Sequence, residues 1–283
     1  LYSSAASDVY KRQLHDVGHG PFCHFFDHHV LKPLNVSHEQ VGQTIIRQEL
    51  GDLIQKLKRS PSGKFAADET LDPDYIAFLI LKDPHKKSHR YPRWLQLLQP
   101  LIGGLFTADN FDYVLRDSYM CGIAVGPVDI TRLIHYTLIT PKGLTLHKNG
   151  LSALQIFLNA RFYLYSNVYF HRTTRAIDLH LLEIFPETME CIFPHNPLDR
   201  LNDYLDLTDW SLIETVRNWS QSTNRKRQRL SKEWGKILGR QLKWKTAYSQ
   251  LMTTQDYQSR ASGTTSTKLE TRIRQQLPQN LKH

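Results

Sequence analysis

Between Leu14 and Asp27 the chain reads LHDVGHGPFCHFFD, and the glycines and proline in it forbid a single helix from passing through. Gly18 and Gly20-Pro21 end any helix that carries His15 and Asp16, so His19 stands on a tight loop and a new helix starts after it. That helix would carry His24, Asp27 and His28 at i, i+3 and i+4, one acid and two imidazoles on one face. Six of the fourteen histidines, His15, His19, His24, His28, His29 and His38, fall within 24 residues. Singly, each reads as an ordinary exposed or capping residue. Gathered round a corner that gives a helix nothing, they mark a place for chemistry.

His15-Asp16 offers an imidazole nitrogen beside a carboxylate, a pair that suits Fe, Mn, Ni or Zn better than Ca or Mg. Adjacent side chains on a helix diverge by about 100°, so both reach one ion only over the edge between them, and further ligands must come from elsewhere. Ser37-His-Glu-Gln40 reads as a capping box that opens a helix from His38 to Leu50, with Gly51 at its stop. His38, at the first helical position, feels the positive end of the helix dipole, which favours the neutral imidazole until a phosphate arrives.

The 283 residues, 40% hydrophobic and 22% charged, can bury a sizeable core as one large domain or two smaller ones, and exclude collagen-like, disulfide-scaffold and disordered chains. No run approaches the roughly 18 to 20 apolar residues of a membrane span, and the N-terminus has no secretory signal; a soluble, cytoplasmic protein with no membrane partner is expected. Cys23, Cys121 and Cys191 are far apart and form no C-x-x-C, which fits a reducing compartment rather than a disulfide or zinc scaffold.

Residues 1–13 lack caps and apolar periodicity and are expected to be a non-native leader, the native chain beginning upstream of Leu14. Tyr75 to Lys82 and Trp94 to Leu98 are short apolar stretches on either side of a loop at 83–92. Asp109 to Tyr119 reads as a helix, with Phe111, Val114 and Leu115 on one face. Tyr136 to Thr140 and Leu144 to Lys148 flank Pro141-Lys-Gly143 as a β-hairpin, the one clear β signal. Leu151 to Phe185, free of Pro and Gly and apolar on more than one side, predicts one long buried helix. Pro186 to Pro197 breaks the pattern. Leu198 to Leu251 supplies further helices, among them Leu212 to Trp219 and Trp234 to Trp244, and 259–267 has the composition of a flexible linker. No internal repeat is visible.

The net charge is +9, and eight units of it lie in Arg225 to Lys245, where nine Lys/Arg face only Glu233. Interleaved with Trp234 and Trp244, this stripe is a candidate nucleic-acid or nucleotide-phosphate surface, or simply a solvated helix face.

The motifs resemble the HD-domain metal-dependent phosphohydrolases, most closely the branch of deoxynucleoside triphosphate triphosphohydrolases (dGTPase and the vertebrate SAM-and-HD-domain dNTPase). LHDVGHGPFCHFFD matches the core motif of that branch, SHEQ (Ser37 to Gln40) its second block, ADNFDYVLRDSYMCGI (Ala108 to Ile123) its third, and ARFYLYSNVYFHRTTR (Ala160 to Arg175) its fourth. Beyond about Pro186 the likeness fades. The resemblance implies an all-α HD fold with a small β-hairpin, with an HD core over residues 14–185 and a helical C-terminal region over 186–283.

It also implies a divalent transition metal held by His15, Asp16 and Asp109, with Mg accompanying the nucleotide phosphates as a further option. The family's first histidine ligand lies some tens of residues upstream of the pair; the chain as it stands lacks it and is expected to bind metal weakly, with inactivity of this fragment an open alternative even where the full-length parent is an enzyme. His19, His24, Asp27 and His38 match the residues around the scissile phosphate, where an imidazolium paired with Asp27 could protonate the leaving oxygen. Asn110, Tyr113, Asp117, Arg161, Tyr169 and Arg172 match substrate-binding positions, with Arg161 as a phosphate clamp and the tyrosines beside the sugar. Asn110 stands where the vertebrate dNTPase has a phosphate-binding lysine, a loss of charge toward a triphosphate. Homo-oligomers are implied by analogy.

Three functions follow as expectations. The first is hydrolysis of a dNTP to deoxynucleoside and triphosphate. The second is another phosphoesterase reaction, on a nucleoside monophosphate or cyclic nucleotide. The third is a non-catalytic nucleic-acid-binding HD protein that uses the Arg225 to Lys245 stripe.

Overall fold

Stretches with apolar residues at helical spacing form helices packed on helices in the computed structural model, which describes residues 14–60, 63–81, 91–104, 106–140, 143–246 and 274–275. Two short antiparallel hairpins complete it, β1 (Arg59–Ser60) with β2 (Gly63–Lys64) and β3 (Thr137–Thr140) with β4 (Gly143–Leu146). The fold is all-α with a small β-hairpin, as the sequence predicts; the β1–β2 pair is an addition that the sequence did not signal. The leader at 1–13, most of the loop at 83–92 and the linker at 259–267 lie outside the described residues.

The helix after the GHGP corner is not uniform. α1 (His24–Phe26) runs into a π turn (Asp27–Leu31), in which Lys32 N–H reaches Asp27 C=O, and then into a 3-10 turn (Lys32–Leu34). π turns occur mostly as single wide turns and often at functional sites. α2 (His38–Gln48) opens with the expected capping box: Gln40 N–H donates to Ser37 Oγ at 3.3 Å and Ser37 N–H to Gln40 Oε1 at 2.9 Å. It closes at Gln48, and Gly51 begins α3 (Gly51–Lys56). Ile46 packs with Ile76, Ala77 and Ile80 of α4 (Pro73–Ile80), and Gln43 Nε2 donates to Ala77 C=O at 2.8 Å.

α5 (Arg93–Leu98) and α6 (Pro100–Gly103) lead to α7 (Ala108–Met120), whose N-cap Thr107 accepts Asn110 N–H at 3.1 Å. α8 (Ile130–His135) precedes the β3–β4 hairpin. The long helix expected from Leu151 to Phe185 is two helices. α9 (Leu151–Leu164) widens into a π turn (Tyr165–Tyr169), and α10 (Arg172–Ile192) restarts under an N-cap from His171, whose ring accepts Thr173 N–H. No Pro or Gly marks this break. Nor is α9 buried all round: Ala153, Phe157, Ala160 and Leu164 are buried, while Leu151, Ile156, Phe162 and Tyr163 are exposed.

Pro186 was expected to interrupt the chain, yet α10 continues through it to Ile192. The missing proline N–H removes one helical hydrogen bond, and burial of Ile184, Phe185, Thr188 and Met189 carries the helix across. After α11 (Leu201–Leu205) and α12 (Asp209–Asn218), α13 occupies Arg225–Leu238 rather than Trp234 to Trp244. Asn224 caps its start, and Gly239 followed by Arg240 at φ 56° ends it.

A single apolar cluster joins Phe26, Leu31, Val41 and Ile45 to Phe185, Leu212, Val216, Leu230 and Trp234. Trp234 is 1% exposed, and its ring N–H finds Thr188 Oγ1 at 2.9 Å, which satisfies the one polar group that a buried indole carries. Residues far along the chain thus support the corner near its start.

Candidate active site

Gly18 lets the corner approach α2, and Gly20 lets it approach α1. A Cβ on Gly18 would lie 2.0 Å from His38 C=O and 2.4 Å from Gly42 N, and one on Gly20 would meet the Phe26 ring at 2.8 Å. The corner then bends at two non-glycine residues with positive φ, Phe22 at 63° and Cys23 at 50°. Such conformations cost about 1–3 kcal/mol each and persist only where surrounding contacts impose them.

The bend brings His19, His24 and His38 round one carboxylate. Asp27 Oδ2 lies 3.3 Å from His19 Nδ1, 3.2 Å from His24 Nδ1 and 2.7 Å from His38 Nδ1. The His19 ring stacks on His38 with centroids 3.9 Å apart and meets His24 edge-on at 4.7 Å. His19 and His38 are nearly buried, whereas the His24 side chain is 70% exposed. Burial penalises the Asp27 carboxylate, but hydrogen bonds from the three rings outweigh it and hold the group well below the usual carboxylate range. His28, expected on the same face as His24, lines a cavity with His24, His29, Lys32 and Arg175, and a π turn starts at Asp27.

His19 also reaches the second cluster. Its Nε2 lies 3.4 Å from Asp16 Oδ1, and Asp16 Oδ2 lies 3.1 Å from His15 Nε2. Burial works against a charged His19, yet hydrogen bonds to Asp16 and Asp27 dominate and push its imidazole up to about 9. Asp16 is depressed in turn, the His15 and His19 hydrogen bonds overcoming burial.

Asp109, in the first turn of α7, places Oδ1 3.7 Å from His15 Nε2. His15, Asp16 and Asp109 thus offer one nitrogen and two carboxylate oxygens within 4.8 Å of one another. The Asp16 and Asp109 side chains are 53% and 42% exposed, so the trio opens to solvent. A donor set of this kind fits Fe, Mn, Ni or Zn and leaves positions for water or a phosphate oxygen. In the neighbouring group the Nδ1 atoms of His19, His24 and His38 face Asp27, which favours their use as N–H donors rather than as metal ligands.

Most of the substrate-side candidates form a third cluster. Tyr169 donates its hydroxyl to Asp117 Oδ2 at 2.5 Å, and Asp117 Oδ1 accepts from Arg116 at 2.8 Å. The Tyr113 and Tyr169 rings meet edge-on at 6.1 Å, and the Arg161 guanidinium lies over the Tyr165 ring at 5.7 Å. The Tyr113 hydroxyl is buried without a hydrogen-bond partner among the described residues. Burial, with the Tyr165 hydroxyl adding to it, pushes its pKa up to about 12. Arg172 stands apart, at the start of α10, lining a cavity with Leu242, Trp244 and Lys245. Asn110 sits at the third position of α7 with its backbone N–H on the Thr107 cap.

Four of the nine basic residues of the stripe are in ion pairs. Glu183, Glu187 and Glu190, one row on α10, bind Lys243, Arg229 and Lys226 respectively, and Glu233 binds Lys236 and the buried His180. No helix among the described residues is long and apolar enough to cross a membrane, and the three cysteines are free thiols.

A family model described as the HD associated region matches residues 128–277, just over half of the chain. The chain belongs to that family. It is 27% identical over 221 residues to the uncharacterized protein YwfO of Bacillus subtilis, covering 73% of this chain and 46% of the relative. It is 24% identical over 216 residues to a Dictyostelium discoideum protein named deoxynucleoside triphosphate triphosphohydrolase SAMHD1 homolog, covering 75% of this chain and 40% of that one. The chain therefore spans less than half the length of these curated relatives.

Among solved structures, a hypothetical protein from Aquifex aeolicus superposes with a TM-score of 0.65 at 26% identity, over 97% of this chain and 63% of that one. A phosphohydrolase from Bacteroides thetaiotaomicron gives the same TM-score at 21% identity, over 92% of this chain and 65% of its own, a likeness of fold.

The sequence did not single out Tyr165, Glu39, Tyr204 or Asp209. Glu39 Oε1 lies 3.2 Å from His38 Nε2, Tyr204 donates its hydroxyl to Gly18 C=O at 2.9 Å, and Asp209 Oδ1 accepts Phe22 N–H at 2.7 Å. Glu39 stood inside the SHEQ motif and could have been found there. Asp209 has the signature of any acid in a helix's first turn.

Proposed function

We propose that this chain carries the site of a metal-dependent nucleotide phosphohydrolase that converts a dNTP to a deoxynucleoside and triphosphate. The observation that carries the reading is the meeting of Asp109 with His15 and Asp16 beside the His19–His24–Asp27–His38 group. His15, Asp16 and Asp109 would hold the ion, which when bound supplies a Lewis acid for a phosphate oxygen and for the attacking water.

In the reaction, water oxygen bonds to the α-phosphorus, the bond from that phosphorus to the 5′-oxygen breaks, and the 5′-oxygen takes a proton. An imidazolium held by Asp27 is the donor, since the carboxylate fixes the ring and favours its charged form. Arg161 offsets phosphate charge, and the unpartnered Tyr113 hydroxyl offers a hydrogen bond to the sugar. The name of the Dictyostelium relative supports the dNTP as substrate.

The test is product analysis with dGTP in the presence of Mn²⁺ or Fe²⁺, on the chain extended upstream to restore the histidine ligand that the family resemblance implies. Released triphosphate, abolished by His15→Ala and by Asp109→Ala, is the expected result. Turnover unchanged in either variant refutes the site. Orthophosphate, or a monophosphate from a cyclic nucleotide, transfers the site to the other phosphoesterase class.

A further inference from the structure

The GHGPFC corner is bent by residues unsuited to the bend. Cys23, at φ 50° and ψ −119°, occupies the second position of a turn closed by Phe25 N–H on Phe22 C=O at 3.0 Å. This is the mirror-image turn conformation that glycine ordinarily supplies. Phe22, at φ 63°, occupies the third position of the preceding turn, closed by Cys23 N–H on Gly20 C=O at 3.0 Å. Two side-chain-bearing residues in series at glycine positions need an external hold.

That hold comes from the far end of the chain. Asp209 Oδ1 accepts Phe22 N–H at 2.7 Å across 187 residues. Tyr204, 3% exposed, donates to Gly18 C=O at 2.9 Å. The Phe22 ring stacks on Trp234, with centroids 5.9 Å apart and planes 24° apart. His19 precedes the bend and His24 follows it, so the bend sets the 4.7 Å between their rings and lets both face Asp27.

We propose that Asp209 is a positioning residue for the His19–His24–Asp27 group, acting through the Phe22 amide. Its carboxylate oxygen fixes the orientation of the Phe22–Cys23 peptide run, and that orientation aims the two imidazoles. What the role needs is an acceptor oxygen at this point, which asparagine also supplies and alanine does not. For its kinetic readout this rests on the hydrolase reading of the site; its geometric readout stands without it.

The experiment uses the full chain as Asp209→Ala, Asp209→Asn, Cys23→Gly and the double variant Cys23→Gly/Asp209→Ala. The measurements are imidazole ¹⁵N–¹H spectra of His19 and His24, hydrogen exchange at the Phe22 amide, and kcat and KM for dGTP with Mn²⁺. Asp209→Ala is expected to shift both ring signals and to speed Phe22 exchange about tenfold or more while the buried Ile45 and Val216 amides keep their protection. It should lower kcat about tenfold or more with little change in KM. Asp209→Asn should resemble the parent.

Cys23 is exposed, so glycine there loses little packing and relaxes the bend; the Asp209→Ala effect should shrink in that background. Unchanged ring signals and Phe22 exchange in Asp209→Ala, an Asn variant as damaged as Ala, or strictly additive effects in the double variant would each overturn the assignment. Should Asp209→Ala not fold, the Asn variant and the double variant decide. A displaced corner in a protein that hydrolyses nothing leaves the assignment standing and removes the hydrolase reading; an undisturbed corner removes the assignment whatever the turnover.

Discussion

His19 Nε2 lies 3.4 Å from Asp16 Oδ1, so the imidazole that leans on Asp27 also touches the candidate metal ligands. One ring therefore links the two clusters, and a change in either is felt by the other.

Asp109 belongs to the ligand trio and to nothing in the core, since its side chain is 42% exposed. Asp109→Ala should weaken Mn²⁺ binding by at least about 10-fold, the lower end of the loss seen even for outer-shell changes. The melting temperature without metal should hardly move. Isothermal titration together with a thermal scan reads both; equal Mn²⁺ affinity in the two proteins contradicts the trio.

The Asp27 pairing predicts a pH window in metal-free protein. Its carboxyl is depressed on folding, so its contribution is full above the unfolded pKa of about 3.9 and fades as pH falls toward the folded value. The His19 contribution has the opposite sign: full below about 6.5 and lost as pH rises through about 9. Asp27→Asn should cost roughly 2 kcal/mol between about pH 4 and 6.5, and the gap in melting temperature should narrow as pH rises from there through about 9. A gap independent of pH from 5 to 10 would contradict the pairing.

Much of this site can be read in the sequence. The helix-breaking glycines and proline fixed where the corner had to be, and Ser37 with Gln40 fixed the start of α2. Gly18 and Gly20 were legible as breakers; that each also admits a neighbour's close approach, His38 backbone for one and the Phe26 ring for the other, is a tertiary fact. The π turns at Asp27 and Tyr165 leave no breaker residue behind, so the split of the 151–185 helix was invisible to periodicity. Pro186 misled because packing overrode a local preference. The charge of the 225–245 stripe was legible but its partners Glu183, Glu187 and Glu190, some 40 to 60 residues away, were not.

Gly18→Ala tests the close approach directly. With a Cβ forced to 2.0 Å from His38 C=O, the corner and α2 must separate. The expected cost is about 1–3 kcal/mol or more, with loss of the His19–His38 stacking. A variant of parental stability and unchanged histidine spectra would contradict the packing.

Trp234→Ala should cost about 3–5 kcal/mol, as for other buried tryptophans, and should also disturb Phe22, which stacks on it. Chemical denaturation gives the first and the Phe22 amide signal the second. A change confined to residues beyond 200 would contradict a core shared between the two ends of the chain.

The ligand assignment is tested most directly by anomalous diffraction from crystals soaked in Mn²⁺. A peak within coordination distance of His15 Nε2, Asp16 and Asp109 is the predicted result. A peak centred instead among His19, His24 and His38, or none at saturating Mn²⁺, would contradict it.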